Sequence, residues 1–134
     1  MGTSIRYMLD TNAVNDFIKG QGNVRTMGMS LPTTSLFISA ITEAELYFGL
    51  AKEPDVVALH HLVHEFLSRI EVLPWDTECA IHYGTLRADL ERQGKPLGNL
   101  DMLIAAHAVS NGLVLVTKDK AFAQVSELHT EDWS

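Results

Sequence analysis

Ile5-Arg6-Tyr7-Met8-Leu9-Asp10-Thr11-Asn12 is a short apolar run that stops on an acid and then turns polar. Its Ile, Tyr, Met and Leu content suits a strand buried on both faces, and the run is too short for a membrane span or a typical globular helix. The Asp10 carboxylate therefore stands at the carboxyl end of a strand. In an open parallel sheet the strand-to-helix loops emerge along that edge, and ligands bind there. What decides the chemistry is which other acids reach the same edge.

Working outward, Ala13 to Lys19 places Ala13, Phe17 and Ile18 on one helical face, with Gly20 as a stop. Asn23 to Ser30 reads as a weaker amphipathic turn or helix ending before Pro32, in which Met27 and Met29 either fill gaps in the core or form an adaptable contact surface, core filling being favoured. Leu36 to Ala40 is a second strand by its aromatic and β-branched content. A helix from Thr42 through Ala51 follows, and Thr42 with Glu45 matches the T-x-x-E spacing of a capping box, a purely structural use for Glu45. Val56 to Arg69 is a further helix, with Val56, Leu59, Leu62, Val63, Phe66 and Leu67 as its apolar stripe. His60, His61 and His64 fall on its other positions. Without an H-E-x-x-H signature they read as a solvated or interface face.

Ile70 to Leu73 is a third strand closed by Pro74, and Asp76 is placed to cap a long helix reaching Gln93. Gly98-Asn99-Leu100-Asp101 opens a helix so rich in small and apolar residues that it reads as buried, with Asp101 at its N-terminus and His107 as a hydrogen-bonded core histidine. A helix-capping role is the structural alternative for Asp101. After Gly112, Leu113 to Val116 is the clearest buried strand, and it runs into Thr117-Lys118-Asp119. A second strand thus ends on an acid. Phe122 to Trp133 offers a short helix and an edge strand closed by Trp133.

With 134 residues, 46% of them apolar, the chain can bury one core and reads as a single domain over residues 1–134. One cysteine, Cys79, excludes an internal disulfide framework and reads as a buried, inert thiol suited to a reducing cytoplasm. No apolar run approaches a membrane span or a signal peptide, and Arg6 stands where a myristoylation motif starting at Gly2 needs Ser or Thr. The net charge of −7 argues against gripping nucleic acid by bulk electrostatics. Divalent cations at an acidic site could reverse that locally. Arg87, Arg92, Lys95, Lys118 and Lys120 are the candidate phosphate contacts.

Strands alternating with helices predict a parallel α/β sheet with helices on its faces, which aligns every strand's carboxyl end. Asp10 and Asp119 then lie on one edge, and Glu45 and Asp101 can reach it. Two carboxylates about 4 Å apart at an effective dielectric of about 20 repel by about 4 kcal/mol, a large share of the ~5–15 kcal/mol that holds a domain together. Four acids together are not a stability device. Hard oxygen donors without Cys or a credible His set suit Mg2+ or Mn2+, ions that keep waters and bind substrate phosphates.

Four segments carry a resemblance: Met8 to Asn12; Ile38 to Leu46 with Gly49; Asp101 to Ala108; and Leu115 to Asp119 with Phe122. In this order, over nearly the whole chain, they resemble PIN-domain ribonucleases and, within that superfamily, the VapC-type toxins of bacterial toxin-antitoxin pairs. The resemblance implies that Asp10, Glu45, Asp101 and Asp119 are catalytic and hold the metal, with Asp10 and Asp101 its firmest ligands. Glu43, two residues before Glu45 and about 200° away on a helix, competes for the same role. Asn12, Thr42 and Thr117 are candidates for orienting the carboxylates. It further implies cleavage of RNA, structured RNA such as tRNA included, a cognate antitoxin protein that blocks the site, and assembly as a homodimer or with that antitoxin.

Two alternatives stand beside it. A receiver-like phosphoacceptor domain also gathers acids and a Lys at its strand ends, though this chain lacks an adjacent acidic pair after its first strand. A catalytically inactive PIN-like binding module would keep the fold and lose the chemistry. A haloacid-dehalogenase-like phosphatase is disfavoured because Asn12 stands where a second Asp is required.

Overall fold

The computed structural model describes residues 4–134, so Gly2 lies outside the described residues. Five strands, β1 (Tyr7–Leu9), β2 (Leu36–Ser39), β3 (Glu71–Leu73), β4 (Val114–Val116) and β5 (Thr130–Glu131), form one sheet of order β3-β2-β1-β4-β5. Every neighbouring pair is parallel. Helices α1 (Thr11–Lys19), α2 (Val24–Met29), α3 (Ala40–Lys52), α4 (Val57–Arg69), α5 (Thr77–Arg92) and α6 (Asn99–Ser110) connect them.

Side chains along a strand alternate between faces, and this sheet is covered on both. Met8, Phe37 and Leu115 pack with α5 and α6 residues such as Leu90, Ile104 and Ala105. Their chain neighbours Leu9, Ile38 and Val116 pack on the other side with Val14, Leu46 and Phe66. Continuous apolar strands are the consequence.

The strand order reverses direction at β1, with β2 and β3 on one side and β4 and β5 on the other. The crevice outside the carboxyl ends of β1 and β4 is therefore the topological switch point, where open α/β sheets bind ligands. The same order excludes the receiver alternative, whose flavodoxin-like sheet runs 2-1-3-4-5.

Several local expectations are corrected. Helix α3 starts at Ala40, and its N-cap is Ser39, whose Oγ accepts the Ile41 N–H at 3.0 Å. With a stronger capping residue directly at the strand end, Thr42 falls inside the first turn and is fully buried. The expected Thr42–Glu45 capping box does not form, which leaves Glu45 without a capping duty. Helix α6 is capped by Gly98 with no side-chain bond, so Asp101, its third residue, caps nothing. Met27 and Met29 are exposed rather than core. The inward face of α2 is Val24 and Gly28, where a Cβ at Gly28 would stand 2.8 Å from the Phe17 ring. On α4 the stripe narrows to Val63 and Phe66, with Leu59 and Leu67 half-buried and Val56 and Leu62 exposed.

Other expectations hold. Asp76 caps α5 by accepting the Cys79 N–H at 3.1 Å, Cys79 is a buried free thiol, and Trp133 is buried. His60 bonds the Glu53 carbonyl at 2.9 Å. No helix of the described residues is long and apolar enough to cross a membrane.

Candidate active site at the β1/β4 edge

Asp10 follows β1 directly, and its backbone N–H continues the ladder to the Val116 carbonyl at 3.1 Å, which pins it beside the end of β4. Its Oδ1 accepts the Ala13 N–H at 2.7 Å, so the residue is also the N-cap of α1. The side chain is only 4% exposed. Burial pushes its carboxyl above the usual range, the Thr117 hydroxyl and the Ala13 N–H pull it back, and the charges of Asp101 and Asp119 push it up again.

Three residues beyond β4, Asp119 caps a 3-10 turn, Lys120–Gln124, through the Ala121 N–H at 2.9 Å, and its own N–H is held by Thr117 Oγ1 at 3.0 Å. Thr117 thus links the two strand-end acids. Asp101 enters from α6, its carboxyl raised first by burial and then by the charges of Asp119 and Glu45. Glu45, on the second turn of α3, accepts the Thr11 hydroxyl at 2.6 Å, and Thr11 Oγ1 lies 3.3 Å from Thr42 Oγ1. The influence of Glu45 on Asp101 and the Thr11 bond place Glu45, and not Glu43, at this edge.

All four acids meet in one electrostatic neighbourhood. Thr42 and Thr117 take part, whereas Asn12 is exposed and makes no side-chain bond to any of the acids. Its neighbour Thr11 does that work and was missed. Its place next to the strand-end acid was the available signal. Among the expected phosphate contacts, Lys118 pairs with Asp16 at 3.1 Å, Arg87 with Glu91 at 3.0 Å and Arg92 with Asp89. Lys95 and Lys120 are exposed and stand in no ion pair among the described residues.

Among the described residues, no three Asp, Glu, His or Cys side chains stand poised to hold one ion by themselves. The donor set still fits Mg2+ or Mn2+. Mg2+ is usually held by one or two carboxylates, with waters and substrate phosphates completing its shell. Two of the acids here are raised in pKa by burial and by like charge, a cost that a cation relieves. A cavity of about 440 Å³ between α1, α2 and α4, lined by Phe17, Leu36, Leu62 and Phe66 among others, contains none of these acids. Its walls are mainly apolar, and the charged residues among them, Arg25, Glu65 and Arg69, are not a carboxylate cluster. The polar edge, where the four acids meet at the switch point, is the better candidate.

Residues 7–128 match the family described as the PIN domain. The chain is 40% identical to the tRNA(fMet)-specific endonuclease VapC of Salmonella typhimurium over 130 residues, covering 96% of this chain and 98% of that one. It is 38% identical to Ribonuclease VapC2 of Haemophilus influenzae, with the same coverage. Among solved structures, DNA-bound VapBC from Salmonella typhimurium superposes with a TM-score of 0.89 at 38% identity, covering 98% of this chain and 100% of that chain. VapBC2 from Rickettsia felis, bound to a promoter DNA fragment, gives 0.88 at 33% identity over 97% and 100%.

Proposed function

We propose, from the premise that this chain belongs to the PIN domain family, that it is a metal-dependent endoribonuclease of the VapC type, the toxin of a toxin-antitoxin pair. Its substrate class is tRNA, its partner is the antitoxin protein of the pair, with which it assembles, and it acts where tRNA resides, in the cytoplasm. One observation carries the reading. Asp10, Asp101, Asp119 and Glu45, drawn from four separate elements, influence one another's charge at the sheet's switch point, and Asp101 has no capping duty to explain its presence.

Asp10 and Asp101 are the residues that would hold Mg2+ or Mn2+, with Glu45 and Asp119 engaging it directly or through water. When bound, such an ion supplies Lewis acidity at the scissile phosphate. Glu45, fixed through one oxygen by Thr11, keeps the other to orient and deprotonate the attacking water. Thr117 holds the Asp119 backbone, and its hydroxyl favours the ionised Asp10 carboxyl, so it serves both strand-end acids.

The test is cleavage of purified tRNA by the metal-stripped protein, with and without added Mg2+ or Mn2+, beside Asp10→Asn. Cleavage only with metal, abolished in the variant, is the expected result. Full cleavage in chelator overturns the metal mechanism, and no cleavage under any metal favours an inactive binding module.

A further inference from the structure

Ser39 and His107 lie 68 positions apart, are fully buried, and meet with Ser39 Oγ 2.6 Å from His107 Nδ1. Ser39 ends β2 and caps α3, the helix that carries Thr42 and Glu45. His107 lies on α6, six residues after Asp101. The hydrogen count favours one direction for this bond. Ser39 Oγ already accepts the Ile41 N–H at 3.0 Å, and in its sealed position the hydroxyl proton has one acceptor among its hydrogen-bond partners, His107 Nδ1. The ring proton then resides on Nε2, which has no partner of full hydrogen-bond geometry and feels the Pro74 carbonyl. The opposite tautomer would let Nδ1–H donate to the second Oγ lone pair, but would leave both the hydroxyl proton and a bare Nε2 without a partner.

We infer that Ser39 and His107 are a positioning pair for the proposed nuclease site: neutral His107, protonated on Nε2, accepts the Ser39 hydroxyl and fixes the first turn of α3, and so Glu45, against Asp101. Two helices that touch at a single point can pivot about it. Here α3 and α6 are tied at Ser39 and His107, and six residues along each chain they present Glu45 and Asp101, whose charges already influence each other. A buried neutral bond suits this task because it neither competes for the metal nor adds charge to the site. Neither residue touches substrate, so both act through the carboxylates.

The inference rests on the nuclease reading for its consequence, and the bond itself is measurable without it. Nitrogen-detected NMR of the metal-free protein at neutral pH is expected to show His107 with Nε2 protonated and Nδ1 bare, and Ser39→Ala to shift the Nδ1 resonance. In cleavage assays Ser39→Ala and His107→Leu are each expected to lower kcat about tenfold per folded molecule, with KM within about twofold. The double variant should be no worse than either single change. His107→Asn, whose carboxamide oxygen can stand where Nδ1 does, should recover most of the loss. Leu90→Ala, a cavity on α5, supplies the control for destabilisation alone and should leave kcat per folded molecule unchanged.

A protonated Nδ1 overturns the bond assignment. Additive losses in the double variant, or losses that match the unfolded fraction as in Leu90→Ala, overturn the positioning role. If His107→Leu does not fold, Ser39→Ala and His107→Asn decide alone. A chain that cleaves no RNA removes the nuclease reading, while the tautomer measurement still stands or falls separately.

Discussion

The Thr11 hydroxyl donates to Glu45 Oε1 at 2.6 Å, joining the first residue of α1 to the second turn of α3 across the sheet edge that holds Asp10. Glu45 has no other hydrogen-bond donor among the described residues. Thr11→Val removes that donor at constant shape, and cleavage is expected to fall about tenfold in kcat while KM changes little. Thr11→Ser should restore it. Steady-state kinetics on tRNA check both, and a purely KM effect would assign Thr11 to substrate binding instead.

Asp101→Asn separates site from scaffold. The carboxyl is raised by burial and by Asp119 and Glu45, so the folded state binds its proton more readily than the unfolded chain does. The charge therefore costs stability above the folded pKa, and the cost fades as pH falls through it. In chelator the variant should melt at or above wild type at neutral pH, with any gain vanishing in acid. Its cleavage in Mg2+ should drop by about a hundredfold or more. A variant that melts well below wild type yet cleaves normally would return Asp101 to structural duty.

RNA binding should be weak in chelator and stronger with Mg2+, because a net charge of −7 opposes the substrate and three of the five candidate cations are spent on local acids. Lys95→Ala and Lys120→Ala should each reduce the log–log salt slope by roughly one, and Arg92→Ala should leave it nearly unchanged. Filter binding across a salt series measures all three. Equal affinity with and without metal would contradict this distribution of charge.

His107 sets a pH limit of its own. Burial holds its pKa below the ordinary value, outweighing Asp76 and the Pro74 carbonyl, so the unfolded chain takes the proton first. Stability that is present above the unfolded pKa of about 6.5 is then lost as pH falls below it, by up to about 1.4 kcal/mol per pH unit. Denaturant melts of wild type and His107→Asn from pH 8 to pH 5 should show wild type losing ground steadily. Parallel curves would mean that His107 is charged or solvated in the fold.

Much of this was legible beforehand because it depends on neighbours in the chain. The β1 run ending on Asp10, the β4 run leading to Asp119 and the Asp76 cap are local patterns, and each stands where periodicity and capping rules put it. The errors arose where two local rules competed. Thr42 and Glu45 satisfied one capping pattern, but Ser39 sits at the strand end and is the better cap, so the helix begins earlier and Thr42 is carried into the core. Asp101 does stand in the first turn of its helix, but with Gly98 as the N-cap the capping alternative for it falls away.

By itself the amino-acid sequence determined the α/β class, the parallel sheet and the two strand-end acids Asp10 and Asp119, because strand and helix periods and strand-end residues are properties of consecutive positions, whereas the choice of Glu45 over Glu43 came from the fold. Only the tertiary structure decided which partners those acids have. Thr11 on Glu45, Thr117 between Asp10 and Asp119, Lys118 on Asp16 and Ser39 on His107 join residues according to how the elements pack. A hydrogen bond needs its atoms within about 3 Å, and for residues far apart in the chain only the folded packing sets that distance.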